Sequence, residues 1–155
     1  MALLPASAHD GATLPTVVVW LGYGGLLPFI ALALAAITGW VPYFAWGGAL
    51  RGYGAVILGF VGALHWGFAM ALAGLNPAQR QTAFVWSVVP SLLGWLALLA
   101  PPLAAVALLV GGFLAHYAQD LRLARLAPLP AWYLPLRLRL TGVACVCLLA
   151  GGWVK

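Results

Sequence analysis

The sequence predicts an all-α integral membrane helical bundle of about five transmembrane helices, and three observations carry that prediction. The chain has 155 residues, 65% of them hydrophobic and only 6% charged, which leaves too few polar groups to cover a soluble globule. Its apolar residues gather into five stretches, each near the length that crosses about 30 Å of hydrocarbon at 1.5 Å per residue. Between the stretches stand aromatic and proline-rich turns: Gly39 to Trp46, Asn76-Pro77, Pro101-Pro102 and Pro128 to Pro135. A single transmembrane domain over residues 1–155 follows, with spans at about 15–38, 51–75, 82–99, 103–121 and 138–154.

Met1 to Leu14 has neither the basic start of a secretory signal nor the arginines of a mitochondrial presequence. The first span reads LGYGGLLPF in its middle. There Pro28 has no N–H to give the carbonyl of Gly24, so a kink with close packing is expected, or a broken helix whose freed carbonyl lines a ligand site. Trp40, Tyr43 and Trp46 form an interfacial belt where that span leaves the bilayer.

The second span, YGAVILGFVGALHWG at Tyr53 to Gly67, organises the rest. Ala55, Gly59, Ala63 and Gly67 recur every four residues as a small-residue stripe against which another helix packs. His65 points about 200° away from Ala63 and Gly67, and an imidazole avoids lipid, so both faces of this helix are claimed and it belongs at the centre. In the third span Pro90 sits between Ser87 and Ser91, which are placed to bond the backbone groups that the proline frees. Trp86 reads as interfacial, whereas Trp95 lies deeper and needs an acceptor.

The fourth span ends in His116, Tyr117, Gln119 and Asp120. His116 and Asp120 share a helix face, where the carboxylate either fixes the imidazole tautomer or pairs with Arg122 or an arginine across the loop; a solvated ion pair among arginines is the plainer expectation. Trp132 and Tyr133 are expected at headgroup level, with Arg137 and Arg139 leading into the fifth span. Cys145 and Cys147 are turned too far apart on that helix to pair and read as packing residues.

The formal charge of +5 does not signal nucleic acid, because four of the seven basic residues, Arg122, Arg125, Arg137 and Arg139, lie in one segment between apolar spans. That segment and Arg80 outweigh Arg51 and Lys155, so the positive-inside rule favours N-in, C-out. His65 and His116 then share a depth in the inner half. This suggests a cofactor site of His65, Trp66, His116, Tyr117 and Asp120, holding a haem b through the two histidines or a quinone or lipid beside them. No paired carboxylates, zinc spacing, phosphate loop or nucleophile triad argues for catalysis. With so few reactive groups, an accessory or assembly subunit of a larger membrane complex is the first expectation, its partners being lipid and other membrane proteins; ligand binding is the alternative, and a solute or proton carrier comes last.

The blocks LGYGGLLPF (21–29), YGAVILGFVGALHWG (53–67), WSVVPSLLGW (86–95) and PAWYLPLRLRLT (130–141), in this order, resemble the family of membrane proteins typified by mitochondrial transmembrane protein 69. The resemblance covers most of the chain. It implies a small multispanning protein of bacterial inner membranes or the mitochondrial inner membrane, and brings no activity with it. The missing presequence and the Ala/Leu/Gly/Arg-rich composition point to a bacterial inner membrane.

Overall fold

The computed structural model describes residues 14–40 and 44–154; the expectations for Met1 to Thr13, Tyr43 and Lys155 lie outside them. Among the described residues all regular structure is helical: α1 (Thr16–Gly24), α2 (Leu26–Thr38), α3 (Trp46–Ala71), α4 (Pro77–Leu99), α5 (Pro102–Leu126) and α6 (Tyr133–Gly151). α1 and α2 form one span, Thr16–Thr38, and the other four helices are each long and apolar enough to cross a membrane. Their outward surfaces carry large apolar side chains such as Trp20, Leu34, Phe60 and Leu103, as lipid contact requires.

α3 is the central helix. It packs against α2, α4, α5 and α6. Its small residues set the approach to α4, but along a different line from the one the four-residue repeat predicts. Ala55 lies against Gly94, and Gly59 against Ser91, whereas Ala63 and Gly67 are exposed. Four residues advance 400° on a 3.6-residue helix, so each step of the repeat creeps about 40° around the axis, and by Gly67 the stripe has rotated off the seam. Gly62 replaces it, three residues after Gly59. A methyl group there would stand 2.8 Å from the Pro90 ring.

The span ends run beyond the apolar windows. α3 begins at Trp46 and takes in Arg51, and α6 begins at Tyr133 and takes in Arg137 and Arg139. Polar side chains there find backbone partners. Arg51 donates to the carbonyls of Gly152 and Val154, the latter at 3.4 Å, and so covers the C-terminal end of α6. At the other end of the bundle Arg80 donates to the carbonyls of Ala69 and Leu72, the latter at 2.9 Å, covering the end of α3. A guanidinium at a helix C-terminus meets both the orphan carbonyls and the negative end of the dipole. α4 starts with a reciprocal cap between Asn76 and Gln79 and with Pro77 in its first turn, where a missing N–H costs nothing.

The weak point of the first span is real. The helix is interrupted at Gly25, which keeps right-handed helical angles, and it is the Gly25 carbonyl, not the Gly24 carbonyl expected from Pro28, that accepts from the Tyr53 hydroxyl at 2.9 Å. Other expectations change. Ser87 donates to the Phe84 carbonyl at 2.6 Å and not to a group freed by Pro90, and Trp95 is 58% exposed on the outward face. Trp40 and Trp46 stack at 6.1 Å. Cys145 and Cys147 are both buried and unpaired, within the apolar core beside Leu148.

Candidate functional site

Near one end of the bundle the apolar core gives way to a polar cluster that four helices assemble. α3 supplies His65, α4 Trp86, α5 His116 and Asp120, and α6 Tyr133 and Arg137. His65 and Asp120 each lie about 9 Å from the C-terminal ends of their helices at Ala71 and Leu126, so the cluster sits towards one end of the bundle and not at its middle. It is buried: Asp120 and His116 are completely covered, His65 is 3% exposed and Arg137 6%.

Asp120 is the hub. Its Oδ2 accepts from Arg137 Nε at 2.9 Å and its Oδ1 from the Tyr133 hydroxyl at 3.1 Å. Tyr133 and Arg137 are four apart on α6, one turn on a single face, which is why both reach the same carboxylate. His116 Nε2 and His65 Nδ1 stand 3.8 Å and 3.9 Å from Oδ1, close enough to feel the charge but too far for hydrogen bonds. The two imidazoles meet edge to face with centroids 4.8 Å apart.

Trp86 decides the state of His116. Its indole N–H donates to His116 Nδ1 at 3.1 Å. An indole nitrogen is a donor only, so Nδ1 must be the bare nitrogen and the proton of the neutral ring sits on Nε2, turned towards Asp120. Among the described residues, both nitrogens of His65, Nε2 of His116 and Nη2 of Arg137 have no hydrogen-bond partner.

The cluster contains one potential cation-binding set, since His65, His116 and Asp120 offer ligand atoms within 4.8 Å of one another. The hydrogen bonds do not fit that use. With Nδ1 accepting from Trp86, the neutral ring carries its proton on Nε2, which a metal there would have to displace, and the charge of Asp120 is already matched by Arg137. A haem fits no better: axial ligands face each other across a macrocycle, whereas these two rings touch directly.

Two cavities flank the cluster. A cleft of about 200 Å³ opens beside His65 and Trp86 and is edged by Gln79, Thr82, Gln119 and Arg122. On the opposite side an apolar cavity of about 520 Å³ runs between the first span, α3 and α6, with Phe113 of α5 behind it. Its polar lining consists of Arg137 and Thr141, and the buried Thr141 hydroxyl is unpartnered. The exposed side chains of Leu21 and Phe60 mark its mouth, which opens sideways.

His65, His116 and Asp120 are thus brought together as the sequence suggested. Trp66 is 50% exposed and packs on Phe84 at 4.8 Å, away from the cluster, and Tyr117 is only half-buried. The solvated ion pair expected for Asp120 is instead a buried one, and Tyr133 leaves the headgroup belt for the core. Arg137, Tyr133 and Trp86 were missed as site residues. A signal existed for the first: the chain has only two acidic residues, so an Asp in an apolar helix calls for a basic partner in another.

The fold and this cluster define a polytopic α-helical membrane protein that buries an ion pair within its bundle. The chain belongs to a family described as a protein of unknown function (DUF3429), whose profile matches residues 14–152. That agrees with the four blocks above. It is 39% identical over 137 residues to transmembrane protein 69 of Xenopus tropicalis, a match covering 84% of this chain and 51% of that protein. The chain therefore spans about half the length of the curated relative it matches. No solved structure matches it.

Proposed function

We propose that this protein binds a lipid-soluble amphiphile, with the tail in the 520 Å³ cavity and the polar head against Arg137 and Thr141. The observation that carries the proposal is Arg137. A guanidinium buried in a membrane bundle is costly, and Arg137 both lines an apolar cavity and keeps Nη2 without a partner among the described residues, which supports a ligand acceptor beside it. The volume suits one small ligand. The accessory role was favoured on a shortage of groups with chemistry, and the buried cluster supplies such groups, which moves ligand binding ahead of it. A multi-pass protein of a bacterial inner membrane, N-terminus inside, is the setting we propose.

The test is purification in mild detergent from native membranes, followed by organic extraction and mass spectrometry. One amphiphile per chain, lost in Leu140→Trp, which fills the cavity, is the expected result. A chain that carries no amphiphile, takes up none on addition and instead brings down a stoichiometric membrane complex would return the accessory role to first place.

A further inference from the structure

Resting on that proposal, we infer that the amphiphile's head is neutral and carbonyl-bearing, and that the ligand class is an isoprenoid quinone. The argument is one of charge balance. Arg137 is already neutralised by Asp120 at 2.9 Å, and no other charged side chain among the described residues lines the cavity. An anionic head, such as a lipid phosphate, would bring a second negative charge to a cation that has its counter-ion, leaving one buried charge uncompensated. A zwitterionic or cationic head would find no carboxylate in the cavity wall.

A carbonyl oxygen changes no charge. It accepts only, and the two polar residues of the lining, Arg137 and Thr141 one turn along the same face of α6, both carry donors that have no partner among the described residues. Two donor-bearing residues suit a head with more than one acceptor. Phe60, exposed and lining the cavity, offers an aromatic face against which a flat ring packs, with Phe29 and Phe113 buried behind it. The sideways mouth between Leu21 and Phe60 lets a single hydrocarbon tail trail into the bilayer.

The experiment titrates the full chain, delipidated in a neutral detergent, with a short-tailed benzoquinone and, separately, with phosphatidylglycerol, by equilibrium dialysis. Saturable one-to-one binding of the quinone with the anionic lipid at least tenfold weaker is expected. Thr141→Val keeps the shape and removes one donor, and it should weaken quinone binding about fivefold, the loss of one neutral hydrogen bond. Asp120→Asn removes the counter-ion and should reverse the preference towards phosphatidylglycerol; if that variant does not fold, Thr141→Val decides. Tighter binding of phosphatidylglycerol by the unaltered protein would overturn the quinone inference and leave the amphiphile site standing. Saturable binding of neither would sink both, and quinone binding indifferent to Thr141→Val would remove the head from this place.

Discussion

Asp120 satisfies an arginine and a tyrosine with its two oxygens while two imidazoles stand just beyond hydrogen-bond range, so each neighbour depends on its charge. Asp120→Ala strands the Arg137 cation in the bundle and should cost about 3–5 kcal/mol, read as a drop in detergent melting temperature. Losing Asp120 and Arg137 together, as in Asp120→Leu with Arg137→Met, should cost far less, because no unpaired charge remains; equal losses in the single and double variants would mean that the pair is not coupled. Trp86→Phe removes the donor that fixes His116. Nitrogen NMR of that ring should then show the proton spread over Nδ1 and Nε2 where the unaltered protein shows Nε2 alone. His65 and His116 were legible because an imidazole within an apolar run stands out. Arg137 and Tyr133 were not, because they sit at the start of a helix whose apolar window begins only after them, and so they read as loop and belt.

Among elements, the α3–α4 seam separates glycines that matter from those that do not. At Gly62 a methyl group meets the stiff ring of Pro90 at 2.8 Å, whereas at Gly67 it meets nothing within 4 Å. Gly62→Ala should therefore destabilise by about 1–3 kcal/mol through overpacking. Gly67→Ala should be neutral or stabilise by about 0.5–1 kcal/mol through backbone entropy. Guanidinium or heat melts of the two variants side by side check the pair, and a reversed order would show that the seam lies elsewhere. The five spans were legible from hydropathy alone. Their ends were not, since α3 and α6 are extended at one end by polar residues whose partners, helix-terminal carbonyls and a carboxylate, belong to other helices and leave no trace in a local window.

At the scale of the whole molecule, the cluster, Arg80 and the Arg122–Arg125 face occupy the end of the bundle formed by the C-termini of α3 and α5. With Arg137 taken into the core, the positive-inside count loses one member, yet the remaining arginines still favour that end as the inner one. A reporter fused after Lys155 should accordingly be active only outside the cytoplasm, and one fused between α4 and α5 likewise; a cytoplasmic signal from either overturns the orientation. The ion pair and the Arg51 cap share one more property: both are closed by α6. A chain still emerging from its ribosome, or cut short before Tyr133, holds Asp120 and Arg51 in the bilayer with nothing to answer them. Packing of α6 answers both at once, so a chain cut before Tyr133 loses two closures, at opposite ends of the bundle, in a single step.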